Sequence, residues 1–116
     1  MSNTLPAVTL NDKYTLETGR AWMTGIQALV RLPMMQRMRD QAAGLNTAGY
    51  VTGYRGSPLG NVDQEFWKAK KFLEPMHIRF QPGLNEDLAA TAVWGTQQVT
   101  LDPNAMYDGV FSIWYG

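Results

Sequence analysis

The chain contains no cysteine. No disulfide framework can brace it, and it can hold no cysteine-ligated zinc or iron–sulfur cluster of its own. Histidine is nearly absent: His77 stands alone, with no second histidine or cysteine to complete a metal site, and a surface or strand-edge role suits it better. There is no excess of charge of either sign. Ten basic residues balance ten acidic ones, so no net field draws in nucleic acid or an anionic membrane. No apolar run approaches the length of a membrane span, about 20 residues. The opening residues, Met1-Ser2-Asn3-Thr4-Leu5-Pro6, lack the basic stretch and apolar core of a secretory signal. A cytoplasmic protein is the expectation.

What is present is the composition of a globular domain. Hydrophobic residues make up 45% and charged residues 17% of 116 positions, which excludes a disordered chain and leaves room for one small domain. Residues 1–12 read as a loose arm. Segments 14–17 and 20–23 flank Thr18-Gly19 and suggest a two-residue hairpin. Thr24-Gly25-Ile26-Gln27 has capping-box spacing and should start a helix. Trp22, Ile26, Leu29 and Val30 share one helical face, which Met34, Met38 and Ala42 can continue. Pro33 should kink or break that helix near 31–33, and Gly44 should stop it.

A β-prone run over 48–54 follows, then the loop 55–60. Asn61, with Gln64 three positions on, should cap a helix over 62–73. Its inner stripe is Val62, Phe66, Ala69 and Leu73; Lys68, Lys70 and Lys71 form a solvated face, and Pro75 ends it. A strand over 78–81, a Pro82-Gly83 turn, a helix over 85–100 and a strand over 109–115 complete the pattern. Strands alternating with helices predict an α/β fold with a mostly parallel sheet. Val110-Phe111-Ser112-Ile113-Trp114-Tyr115-Gly116 reads as a strand buried on both faces, of the kind that normally has more chain after it. The expectation is an N-terminal fragment of something larger. The tryptophans and the methionines Met34, Met35 and Met38 read as packing groups.

Two places could carry chemistry. In Gly53-Tyr54-Arg55-Gly56-Ser57-Pro58-Leu59-Gly60, the glycines permit close approach, Ser57 offers a hydroxyl and Arg55 a fork of donors suited to a carboxylate. An ordinary strand-to-helix connection would use the same residues. The loop is neither a P-loop nor a dinucleotide fingerprint. Glu86 opens the last helix. An acidic group there stabilises the positive end of the helix dipole by a few tenths of a kcal/mol without any function. Alternatively, the small residues behind it, Ala89, Ala90, Ala92 and Gly95, allow tight helix packing that would desolvate the carboxylate and raise its pKa.

The stretches Asp12-Lys13-Tyr14-Thr15-Leu16-Glu17, 25–33, 53–60, Phe80-Gln81-Pro82-Gly83 and 85–95 together resemble the N-terminus of the large, fused indolepyruvate ferredoxin oxidoreductases. These are thiamine-diphosphate-dependent 2-oxoacid:ferredoxin oxidoreductases. The resemblance runs from residue 10 onward. Its most specific parts are Gly-Tyr-Arg-Gly-Ser-Pro-Leu-Gly and Asn-Glu-Asp-Leu-Ala-Ala-Thr-Ala-Val-Trp-Gly.

The resemblance implies an incomplete, three-layer, pyrimidine-type thiamine-diphosphate-binding domain over 13–116. It implies that Glu86 is catalytic and binds the cofactor, contacting the aminopyrimidine N1′ so that the C2 proton can be removed. It places Gly56, Ser57 and Pro58 beside cofactor and substrate. Arg55 stands where smaller relatives have proline, so its pairing with the substrate carboxylate, alongside Ser57, is inferred from charge. The implied reaction is oxidative decarboxylation of an aryl 2-oxoacid to an acyl-coenzyme A, with electrons passing through [4Fe-4S] clusters to ferredoxin. The cofactor supplies the hard chemistry and the protein orients it. The remaining enzyme domains and a homo-oligomer are the implied partners. The family's Gly-Asp-Gly motif for diphosphate and Mg2+ is absent here, as are the cluster cysteines; this chain alone should be inactive. A contrasting expectation is a non-catalytic interaction module that docks a partner through helix 85–100.

Overall fold

A computed structural model describes residues 7–116, so residues 1–6 of the expected arm lie outside the described residues. The hairpin around Thr18-Gly19 does not form. The Asp12 carboxylate instead accepts hydrogen bonds from the Thr9 amide (3.1 Å) and hydroxyl (2.8 Å), winding one helical turn, α1 (Asp12–Thr15). Tyr14 turns inward, is buried, and donates from its hydroxyl to Glu65 at 3.0 Å. The Arg31 guanidinium donates to the carbonyls of Tyr14 and Leu16. These tertiary partners take up carbonyls that a hairpin would otherwise have paired.

Helix α2 (Gly25–Ala42) begins on the expected capping box. The Thr24 hydroxyl accepts from the Gln27 amide at 3.1 Å, and the Gln27 side chain accepts from the Thr24 amide at 2.9 Å. Its end is a Schellman motif: Gly44, at φ +82, donates to Gln41 and Leu45 donates to Asp40. Pro33 does not break the helix. The buried stripe runs through Val30, Pro33, Met34 and Arg37, with Ile26 partly buried. Trp22, expected on that stripe, is 98% exposed. Arg37 donates to the Thr47 carbonyl and ties α2 to the first strand.

Strand β1 (Thr47–Gly53) leads through the loop into α3 (Val62–Lys68) and α4 (Lys70–Leu73), separated at Ala69. The single helix over 62–73 is thus two pieces, yet the inner stripe Val62, Phe66, Ala69 and Leu73 is buried as expected. Asn61 does not cap it: its backbone is left-handed (φ 68), whereas a capping side chain needs an extended residue. A 3-10 turn at Glu74–Met76 precedes β2 (Ile78–Phe80). Helix α5 (Glu86–Thr96) is shorter than the expected 85–100 and passes into a 3-10 turn, Val99–Leu101, before β3 (Gly109–Tyr115).

The three strands are parallel in the order β2-β1-β3. On one face Val51, Ile78, Phe80, Phe111, Ile113 and Tyr115 pack against α2, α3 and α4. On the other lies α5, where the Thr96 hydroxyl is 3.3 Å from that of Ser112. The β1–β2 crossover runs outward and the β2–β3 crossover runs back across β1, and right-handed connections then put their helices on opposite faces.

Two glycines of β1 make room for rings of β3. A β-carbon on Gly49 would sit 2.5 Å from the Phe111 ring; one on Gly53 would sit 2.5 Å from Tyr115 Cδ2 and closer still to Cε2 and Cζ. Among the described residues β3 is laddered on one side, to β1, and its side chains except Tyr115 remain part-exposed. The tryptophans are not core either: Trp67 is half-exposed with its edge on Phe80, and Trp94 and Trp114 are more exposed still. Among the described residues no helix is long and apolar enough to cross a membrane.

Candidate functional site

The loop after β1 leads to one face of the sheet and the loop after β2 leads to the other. Such a reversal between neighbouring parallel strands opens a crevice at their carboxyl ends. Every sequence-expected site residue lies at this end of the sheet. In the first loop the Ser57 amide donates to the Tyr54 carbonyl at 3.3 Å, and Gly56 takes φ +103 at the third position of that turn. This is where a type II turn demands glycine. The Ser57 hydroxyl accepts from the Leu59 amide at 3.1 Å, leaving its proton free to donate outward. Pro58 is exposed. Gly60 has neither positive φ nor a close neighbour, so its freedom is not used.

Arg55 projects into solvent, its side chain 85% exposed, with Nε 3.8 Å from the Asp63 carboxylate. Arg55, expected to meet a substrate carboxylate, has in the fold an internal partner, Asp63, with which any ligand must compete. A shallow hollow of about 250 Å³ lies here between Gly53, Arg55, Asp63, Gln64, Trp67 and Pro82. Behind it, Tyr115 is buried with its hydroxyl unpartnered. Burial, with the Asp63 charge adding, raises its pKa to about 12.

Glu86 is the first residue of α5. Asn85, not Glu86, caps that helix: its side chain accepts from the Leu88 amide at 2.9 Å. This leaves the Glu86 carboxylate uncommitted to the helix amides. The expected desolvation does not occur, because Glu86 is exposed. The small residues behind it do not seat another helix; Ala89 packs on Gly83 and Gly95 faces open space. The Glu86 side chain instead lies at the end of β3, where a β-carbon on Gly116 would be 3.0 Å from its Cγ.

Tyr54 joins the two motifs. Its ring edge lies 3.6 Å from the place of a β-carbon on Gly56. Its phenol lies close enough to Glu86 that the carboxylate's charge, first among the causes, raises the phenol above its ordinary pKa. Glu86 and the Gly56-Ser57 turn are therefore brought together through a tyrosine that the sequence reading passed over, although it lies inside the Gly-Tyr-Arg-Gly motif.

A larger cavity, about 680 Å³, runs along β2 past Phe66, Trp67, His77, Phe80 and Tyr107. None of Arg55, Gly56, Ser57, Pro58 and Glu86 lines it. His77 lies in the turn entering β2, exposed, with Nδ1 2.8 Å from the Tyr107 hydroxyl. Among the described residues no group of three histidine, aspartate or glutamate side chains could hold a metal ion.

Fold and crevice define an α/β domain with helices on both faces of a parallel sheet. No family model, curated protein or solved structure matches the chain.

Proposed function

We propose that this chain supplies the pyrimidine side of a thiamine diphosphate site in a 2-oxoacid:ferredoxin oxidoreductase of the indolepyruvate type. One observation carries the reading: Glu86, spared from capping by Asn85, stands exposed at the carboxyl end of the sheet and is joined through Tyr54 to the Gly56-Ser57 turn. An accessible carboxylate beside an aromatic ring and a glycine turn suits a flat, nitrogen-bearing ring. Thiamine diphosphate, when bound, supplies the electron sink for oxidative decarboxylation.

This chain's own part is positional. Glu86 accepts a proton or hydrogen bond from the ring nitrogen, Gly56 lets that ring approach the backbone, and Ser57 donates to a polar neighbour. Arg55, partly neutralised by Asp63, orients the oxoacid's carboxylate. The diphosphate and its Mg2+, the [4Fe-4S] clusters, and the contacts to coenzyme A and ferredoxin belong to the remaining enzyme domains. A cytoplasmic location belongs to the same proposal.

The test is Glu86→Gln in the full-length enzyme, with far-ultraviolet circular dichroism to check folding and calorimetric titration to measure cofactor affinity. Turnover should fall by a factor of about 100 or more, the scale of a lost proton-transfer partner, while the fold persists. Near-normal turnover would sink the assignment. Arg55→Ala should raise KM for the oxoacid with little change in kcat; an unchanged KM leaves Arg55 with the Asp63 pairing alone.

A second reading, a docking module acting through α5, draws on the apolar groups exposed along that segment: Leu84 (86%), Leu88, Trp94 (68%) and Leu101. Retained activity in Glu86→Gln, together with loss of complex assembly in Trp94→Ala, would favour it.

A further inference from the structure

The shallow hollow at the crevice is bounded by groups of opposite character. Its lining residues all lie between positions 53 and 82, on or beside two strands that pair with each other, β1 and β2. On one side stand Arg55 and Asp63, whose 3.8 Å contact uses the guanidinium Nε. The two terminal nitrogens of Arg55 are left to meet a carboxylate in a parallel pair of bonds. On the other side stands Trp67, half-exposed and one helical turn beyond Asp63 on α3. Its indole is anchored. It meets Phe80 in a T-shaped contact, 5.3 Å between centroids and 79° between planes, and Phe80 stacks at 5.2 Å on the buried Phe66. The indole is thus fixed to the core while still lining the hollow. Among the described residues Trp67 alone borders both the hollow and the larger cavity along β2, so it forms the wall between them.

We infer that Trp67 is the specificity-determining residue of this site: its indole receives the aryl side chain of a 2-oxoacid whose carboxylate is held by Arg55. This rests on the function proposed above, which supplies the oxoacid. Asp63 and Trp67 are four residues apart, so the ion pair and the indole are separated by about 6 Å along the helix axis. In an aryl 2-oxoacid two carbons lie between carboxylate and ring, a comparable span. Aromatic pairs are attractive beyond the area they bury, and an indole already held by Phe80 loses little freedom when a ring packs on it. An aliphatic oxoacid offers Arg55 the same carboxylate but gives the indole no ring, and leaves more of that apolar wall in water. The hollow, about 250 Å³, falls just below the range of pockets for larger ligands, about 300 Å³ upward. It suits a carboxylate and one side chain, not a whole cofactor.

Calorimetric titration of the full-length enzyme with phenylpyruvate and with 2-oxobutanoate tests this without any need for turnover. The parent should bind the aryl acid about tenfold more tightly or better, the scale of one aromatic pair with the area it buries. Trp67→Leu keeps an apolar side chain against Phe80 but removes the ring. With native far-ultraviolet circular dichroism, its preference should fall to about twofold or less, while its affinity for 2-oxobutanoate stays near the parent's. Trp67→Phe restores a ring and should recover most of the preference, whereas a purely structural role would be served as well by leucine. Arg55→Ala should weaken both acids alike. A parent without preference for the aryl acid overturns the role of Trp67. So does a preference unchanged in Trp67→Leu, or one lost equally with leucine and with phenylalanine. Near-normal turnover in Glu86→Gln is a separate failure: it removes the thiamine reading and leaves the measured preference standing.

Discussion

Replacing Gly53 by alanine should destabilise the domain through one side chain, the ring of Tyr115. The new methyl group would lie 2.5 Å from Cδ2 and nearer to Cε2 and Cζ, whereas carbon atoms at rest are about 3.5–4.0 Å apart. Strand or ring must therefore give way by more than about 1 Å. Tyr115 is buried and belongs to the core, so it cannot simply swing out. Overpacking of this kind costs about 1–3 kcal/mol. Stiffening of the unfolded chain by alanine offsets about 0.4–1 kcal/mol of that. The net loss should be about 1–2 kcal/mol, lowering Tm by roughly 5–10 °C for a chain of this size.

Thermal and urea unfolding followed by circular dichroism measure it. The double variant Gly53→Ala with Tyr115→Ala supplies the decisive comparison. If the clash is the cause, the two changes couple by about 1 kcal/mol or more and the alanine at 53 becomes harmless once the ring is gone. An unchanged Tm in Gly53→Ala, or strictly additive effects in the double variant, would refute the reasoning.

Thr24→Ala removes the hydroxyl half of the capping box and should cost about 1 kcal/mol, read as a lower urea midpoint with unchanged slope. Stability should also decline at alkaline pH. Tyr115 titrates near 12 when folded and near 10 when unfolded, so its neutral form contributes fully below about 10, and that contribution is lost as pH rises through about 12. Tyr14, raised by burial and by its bond to Glu65, acts in the same direction. Tyr115→Phe should flatten the decline and, because it removes an unpartnered buried hydroxyl, should not lower stability at neutral pH. Glu86→Gln should bring the Tyr54 phenol back toward its ordinary pKa, followed by NMR titration of the tyrosine rings; an unmoved Tyr54 would mean that the two groups are not neighbours in solution.

Where structure depends on neighbours in sequence, it was legible. The Thr24–Gln27 capping box, the Gly44 stop, β1 and the stripe Val62-Phe66-Ala69-Leu73 all rest on spacing within a turn or two. Where a distant partner decides, it was not. Segment 14–17 alternates like a strand, but Glu65 and Arg31 recruit it as a helical turn and its flank. Asn61 has the right identity and spacing for a cap but a left-handed backbone, which spacing does not encode. Hydrophobicity cannot distinguish a core tryptophan from a displayed one, so Trp22 and Trp94 were misread. At the candidate site, the strand-loop-helix spacing singled out Glu86 and the Gly56-Ser57 turn, and the structure sets both at one end of the sheet. Two facts needed three dimensions: Asn85 relieves Glu86 of capping, and Asp63 engages Arg55.

The order of the strands bears on how the chain reaches this state. Its central strand is made early and its last strand late: Asn46 and Asp108, bonded at the head of the β1–β3 pair, are 62 positions apart. Until β3 arrives, β1 is laddered on one side only, and the hollows above Gly49 and Gly53 have no rings to fill them. Pairings so distant in sequence are slow to form. The β1–β3 ladder should therefore be among the later pairings in refolding, and during synthesis the hollows above Gly49 and Gly53 stay unfilled until Phe111 and Tyr115 have left the ribosome.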